Sequence, residues 1–94
     1  LTTGGTGLGP RDVTPEATLD VIDIEVPGIA EALRVETLKK TPFAMLSRSV
    51  AGVSSGCLII NLPGSPMAVE QCLEGVMPVI PHTLEMLQET PPPH

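Results

Sequence analysis

Leu1-Thr2-Thr3-Gly4-Gly5-Thr6-Gly7-Leu8-Gly9-Pro10-Arg11-Asp12-Val13-Thr14-Pro15-Glu16 opens the chain and reads as a strand-to-helix corner. Three residues able to extend run into a glycine-rich loop. Thr14 then stands where a helix N-cap is expected, Pro15 at the first helical position and Glu16 in the first turn. A loop of this kind leaves the end of a strand, and three residues make a short one. The 94 residues therefore read as part of a larger domain.

The same grammar returns downstream. Leu58-Ile59-Ile60-Asn61-Leu62 is an apolar run, Pro63-Gly64 a turn, Ser65 an N-cap and Pro66 a helix opener. Each corner is expected to bring free backbone N–H groups and a positive helix end beside a loop with little side-chain bulk, an arrangement that suits phosphate. In an open α/β sheet such corners gather beyond the carboxyl ends of the strands. The plain alternative is a glycine-rich connection with no ligand. Neither corner is a nucleotide fingerprint: Pro10 stands where GxGxxG needs its last Gly, and no Gly-Lys-Ser/Thr is present.

Between and after the corners the punctuation is clear. A helix from Thr14 is expected to run to about Val26, stopped by Pro27, with Ala17, Val21 and Ile24 as its apolar stripe. A second is expected over 28–40 with Ile29 and Leu33 inward. Residues 43–48 are ambiguous between a helical turn and an extended segment. Ser49–Val53, Ser54-Ser55-Gly56 and 57–62 read as a hairpin whose second arm is covered on both faces. A third helix follows with Val69, Cys72, Leu73 and Val76 on its apolar face. A last one has Ile80, Leu84 and Leu87 inward. Thr90-Pro91-Pro92-Pro93-His94 reads as a polyproline-like tail or linker start.

Composition removes several functions. Five basic residues against eleven acidic ones, for a net charge of −6, exclude a nucleic-acid surface, which depends on phosphate neutralisation. With aromatics at 1% there is nothing to stack bases on. No apolar run approaches the roughly 20 residues of a membrane span, so no membrane span is expected. Cys57 and Cys72 read as reduced packing residues of a cytoplasmic protein, with a single bridge left open.

Arg11 in the first corner can clamp a phosphate oxygen. Asp12 beside it would repel that phosphate unless Mg²⁺ lay between them, or else it is simply a turn residue. Ser47-Arg48 offers a hydroxyl and a cation to an anion, or is an exposed loop pair.

Thr2-Thr3-Gly4-Gly5-Thr6-Gly7 with Pro10-Arg11-Asp12-Val13-Thr14-Pro15-Glu16-Ala17 resembles the signature of the molybdenum-cofactor biosynthesis family, which includes the MoaB and Mog proteins and the gephyrin G domain. A second block agrees, in the family's order: Thr41-Pro42-Phe43-Ala44-Met45-Leu46-Ser47-Arg48, then Leu58-Ile59-Ile60-Asn61-Leu62-Pro63-Gly64-Ser65-Pro66.

The resemblance implies a three-layer α/β/α MoaB/Mog-like domain over 1–88, incomplete at its N-terminus, with 89–94 as tail or linker. It implies adenylylation of molybdopterin by Mg-ATP, with Mg²⁺ as cofactor, and the alternative of a non-catalytic molybdopterin-binding or trimerising module. It implies that Thr3, Gly4, Gly5, Thr6, Gly7, Arg11, Ser47, Arg48, Pro63, Gly64 and Ser65 hold molybdopterin and its phosphate. Asp12 is then the catalytic acidic residue and the Mg²⁺ ligand. A homotrimer, and a fused or separate molybdate-insertion domain, are the implied partners. Many relatives carry a basic residue where this chain has Ser54, and another where it has Met67.

Overall fold

Cys57–Leu62, the apolar run, is the central strand of the molecule. The structure, a computed structural model, describes residues 1–88. In chain order it contains β1 (Thr2–Thr3), α1 (Thr14–Val21), β2 (Ile24–Glu25), α2 (Pro27–Leu38) and a 3-10 turn over Pro42–Leu46. Then come β3 (Ala51–Ser54), β4 (Cys57–Leu62), α3 (Pro66–Val76), a second 3-10 turn over Met77–Val79, and α4 (Ile80–Gln88). The four strands form one mixed sheet in the order β1-β4-β3-β2. β1 runs parallel to β4, and the other two pairings are antiparallel.

Strand alternation sorts β4 into two faces. Ile60 and Leu62 point to one side and pack with Leu33 of α2, Cys72 and Val76 of α3, and Ile80 of α4. Each of these two fully buried side chains is worth roughly 1.5–3 kcal/mol of hydrophobic stabilisation. Asn61 points to the other side, where its Nδ2 donates to Thr18 Oγ1 of α1 at 3.0 Å and to Thr2 Oγ1 at 3.0 Å. Its Oδ1 accepts the Val50 N–H at 3.0 Å, so a fully buried amide is satisfied. α1 thus covers one face and α2, α3 and α4 the other, which is the expected three-layer α/β/α arrangement.

The hairpin forms as read. Ser54 pairs with Cys57, and the two turn residues Ser55 (φ 49°) and Gly56 (φ 79°) both have positive φ, the twist that joins adjacent strands with least splay. The ambiguous 43–48 segment is largely 3-10, capped by Thr41 Oγ1 accepting from Phe43 N.

Four expectations need correction. The first helix stops at Val21, and Ile24–Glu25 instead pairs with Val53 and Gly52 as the edge strand β2. β-branched residues at 21, 22, 24 and 26 favour extension, and the open β3 edge supplies partners: Asp23 N donates to Val53 O and Val26 N to Ala51 O. The apolar stripe Ala17-Val21-Ile24 is consequently exposed, and α1 buries Pro15 and Thr18. Cys57 is exposed because it starts β4 beside the turn, whereas Cys72 is buried; both are free thiols. Leu84 is exposed too, α4 burying no residue. The Pro-rich tail expected at 89–94 lies outside the described residues.

Candidate functional site

β1 and β4 are parallel and end side by side, Thr3 opposite Leu62, so both corners leave the same end of the sheet. Gly4 N donates to Leu62 O at 2.9 Å, and a Cβ placed on Gly64 would lie 3.4 Å from Gly4 Cα. The two loops are in backbone contact. The corners gather at one end of the sheet as expected, and the direct Gly4–Gly64 backbone contact is what the structure adds.

The first loop is held from several directions. Gly4 and Gly5 adopt φ of +83° and +72°. A Cβ on Gly5 would collide with Thr14 Oγ1, so the position admits no side chain in either respect. Thr14 does not act as the N-cap. It is the first helical residue, its N–H donates to Gly5 O at 3.1 Å and its hydroxyl to Gly4 O at 3.0 Å. Thr18 Oγ1 donates to Thr14 O at 2.8 Å and accepts from Asn61. Hydrogen bonds therefore run from the buried centre of β4 through α1 to the glycines.

Asp12 turns back over the loop. Its Oδ2 accepts the Gly9 N–H at 2.9 Å while its own N–H donates to Gly9 O at 3.0 Å. Both Gly7 and Gly9 lie against this carboxylate: a Cβ on either would come within 3.0 Å of Oδ2. Arg11, beside it, is exposed.

Arg48 is the main departure from the sequence expectation. Its backbone N–H donates to Thr6 O at 2.9 Å. Its Nε donates to Gly7 O at 2.7 Å and Nη2 to Asp12 O at 2.6 Å. Nη1 donates to Glu16 Oε2 at 2.5 Å, and Nη2 also reaches Oε1 at 3.4 Å. Expected as a phosphate cation, the guanidinium makes four hydrogen bonds to protein acceptors. Glu16, which sequence reading treats only as a first-turn acid, is its charge partner. The bonds from Arg48 hold the Glu16 carboxyl below its ordinary pKa of 4.5, and its own backbone N–H adds to this. No local signal identifies a pair separated by 32 positions.

The second corner is bare by comparison. Ser65 is the N-cap residue of α3 but its hydroxyl makes no capping bond. Pro66 has no N–H, and the first helical bond is Val69 N to Ser65 O at 2.9 Å. The Met67 and Ala68 N–H groups thus remain open at the helix end. At the first corner, by contrast, Thr14 N is spent on Gly5 O, and Glu16 N–H faces its own carboxylate. Open N–H groups thus lie at the helix start in the second corner and within the loop in the first, where Gly5, Thr6 and Gly7 N–H have no partner among the described residues.

A cavity of about 370 Å³ lies beside the loops, its wall including Thr6, Gly7, Phe43, Leu46, Ser47 and Pro63. This is within the size range of small-molecule sites. Ser47 Oγ lies 3.0 Å from Ser49 Oγ at its rim. Phe43 and Leu46 are additions that sequence reading did not assign to a site. Thr3 and Ser65 are exposed near the loop ends. Among the described residues no cluster of three His, Cys, Asp or Glu side chains could hold a metal ion, and no helix is long and apolar enough to cross a membrane.

A family model described as a probable molybdopterin binding domain matches residues 1–82. The chain is 48% identical over 87 residues to the molybdopterin adenylyltransferase of Helicobacter pylori, covering 93% of itself and 49% of that protein. It is 50% identical over 88 residues to the molybdenum cofactor biosynthesis bifunctional protein of Synechococcus elongatus, covering 94% of itself and 28% of that protein. The solved Mog protein of Mycobacterium ulcerans superposes with a TM-score of 0.89 at 46% identity, over 92% of this chain and 56% of the other. The chain spans about half the length of the H. pylori relative.

Proposed function

The chain belongs to the molybdopterin-binding domain family of molybdenum cofactor biosynthesis, and we propose from that premise that it takes part in transfer of AMP from ATP to the terminal phosphate of molybdopterin. The observation that supports this most is the backbone contact of the two corners at Gly4 and Gly64. It puts a positioned carboxylate and an open helix end at one end of the sheet, as a reaction between two phosphate esters requires.

In this reading the pterin lies in the cavity against Ser47, Thr6 and Pro63. Its terminal phosphate is met by Thr3, the Gly4–Gly7 backbone, Gly64, Ser65 and the open N–H groups of α3. Arg11, exposed beside Asp12, takes a nucleotide phosphate. The molybdopterin phosphate oxygen attacks the α-phosphorus of ATP in line. The new O–P bond forms as the bridging bond to the β-phosphorus breaks, and pyrophosphate leaves with the electron pair. Positioned donors supply the stabilisation, so no activated protein nucleophile is required.

Asp12 is the carboxylate over the loop that lies outside the Arg48–Glu16 pair. One carboxylate suits Mg²⁺ that arrives on the nucleotide, since that ion completes its octahedron with phosphate oxygens and water rather than a protein cage. When bound there, Mg²⁺ would neutralise charge on the phosphates and orient them. A cytoplasmic homotrimer, alone or joined to a molybdate-insertion domain, is part of the same proposal.

The test is formation of adenylylated molybdopterin by the intact protein. Asp12→Asn keeps an acceptor for Gly9 N–H but removes the charge, and turnover is expected to fall on the order of a hundredfold. Unchanged turnover would sink the assignment of Asp12. A molybdopterin-binding module without turnover is the second reading, favoured because among the described residues no second carboxylate outside the Arg48 pair stands over the loop beside Asp12; tight molybdopterin binding with no pyrophosphate released would select it.

A further inference from the structure

The side chain of Arg48 crosses to a loop more than thirty positions away and meets it at three separate places, Gly7 O, Asp12 O and the Glu16 carboxylate, while its backbone N–H takes Thr6 O. Those contacts bracket the turn that carries the Asp12 side chain. Glu16 lies in the first turn of α1, four positions past Asp12, so Arg48 ties helix and loop together. The same residue follows Ser47, at the cavity rim. Arg48 therefore connects the cavity wall to the carboxylate-bearing loop.

We propose that the Arg48–Glu16 pair is a positioning latch: it fixes the Gly7–Asp12 turn so that the Asp12 carboxylate is held at a set distance from the ligand in the cavity. This inference rests on the adenylyl-transfer reading for its kinetic consequences only. A planar fork is needed because the three acceptors lie in different directions. Lysine carries the charge but has neither the reach nor the fork to serve all three. The latch acts on geometry, so its loss lowers the rate of the step and leaves the grip on substrate in place.

Kinetics and amide exchange on the intact protein test this together. Arg48→Lys is expected to lower kcat about a hundredfold, the scale of a 1 Å misplacement, with KM for molybdopterin unchanged. Glu16→Gln, on an exposed side chain whose loss costs the fold little, is expected to lower kcat in the same direction by less. In both variants the Asp12 amide should exchange faster while the Ile60 amide in β4 does not. If Arg48 gripped the phosphate directly, Arg48→Lys would raise KM and Glu16→Gln would leave kcat alone, and the latch is overturned. If the wild-type protein transfers no AMP, the reaction proposed above fails. The exchange rates then still decide: an unchanged Asp12 amide in both variants overturns the latch, and a faster one supports it.

Discussion

The two strand-to-helix corners share a sequence grammar and have opposite architectures. At the first, from Gly4 to the start of α1, the carbonyls and carboxylates are engaged: Thr14 donates to Gly4 O and Gly5 O, Gly9 N–H to the Asp12 carboxylate, and Arg48 to Thr6 O, Gly7 O, Asp12 O and the Glu16 carboxylate. At the second, Leu62 to Pro66, Gly4 N–H enters on Leu62 O, Ser65 O takes the first helical bond, and the Ser65 hydroxyl caps nothing. The first corner holds a side chain in place; the second leaves a helix end uncommitted. A reaction joining two phosphates needs both kinds of element, a fixed electrostatic reference and an open donor set.

The sharpest way to break this comparison is to add one methyl to each corner. Gly5→Ala places a side chain at φ +72° and against Thr14 Oγ1. Left-handed backbone and overpacking together are expected to cost about 3 kcal/mol in urea unfolding. Gly64→Ala meets only Gly4 Cα at 3.4 Å and has no positive φ. It is expected to change stability by less than about 0.5–1 kcal/mol, the gain in unfolded-chain stiffness offsetting the closer contact. Equal losses at both positions would mean that the second corner is as tightly built as the first.

The hydroxyls give a smaller contrast. Thr14→Val removes the bond to Gly4 O and is expected to cost about 1 kcal/mol. Ser65→Ala removes a side chain that caps nothing and is expected to fall within about 0.5 kcal/mol of wild type. Thermal or denaturant unfolding of the pair reads the difference. A larger loss at Ser65 would show that its hydroxyl caps α3 in solution.

These contrasts also explain what was legible in the sequence. β4, its glycine turn and α3 were readable because each signal is local: an apolar run, then Gly64, then Pro66. The hairpin was readable for the same reason, Ser55-Gly56 meeting a need for positive φ at adjacent positions. β2 was not, because Ile24 and Glu25 become a strand only by pairing with Val53 and Gly52. Local helix grammar from Thr14 and the stop at Pro27 outvoted that distant edge. The site divides the same way. Glycines at 4, 5 and 7 and Asp12 stand in a loop whose composition advertises it. The roles of Thr14 and Arg48 depend on partners the sequence does not place: a cap was expected where the hydroxyl reaches back to Gly4, and a free cation where the guanidinium is tied down. Charge is visible in a sequence; whether it is already spent is not.

The smallest expected effect bears on whether that tie holds in solution. Arg48 lowers the folded-state pKa of Glu16 below 4.5, chiefly through the side-chain hydrogen bond. A carboxyl with a depressed folded pKa contributes stability in full above its unfolded pKa, where it is ionised in both states. The contribution decays as pH falls below 4.5 toward the lowered folded value and is gone beneath it. Glu16→Gln abolishes the titration. Wild type and variant should therefore differ in Tm at pH 6–7 and converge as pH is lowered through 4 and below. The difference should also shrink with added salt, since the carboxylate is exposed and screened. Parallel curves across that window would show that the Arg48–Glu16 contact does not persist in solution, and the first corner would then owe its order to Thr14, Asp12 and the bonds from Arg48 to the loop carbonyls.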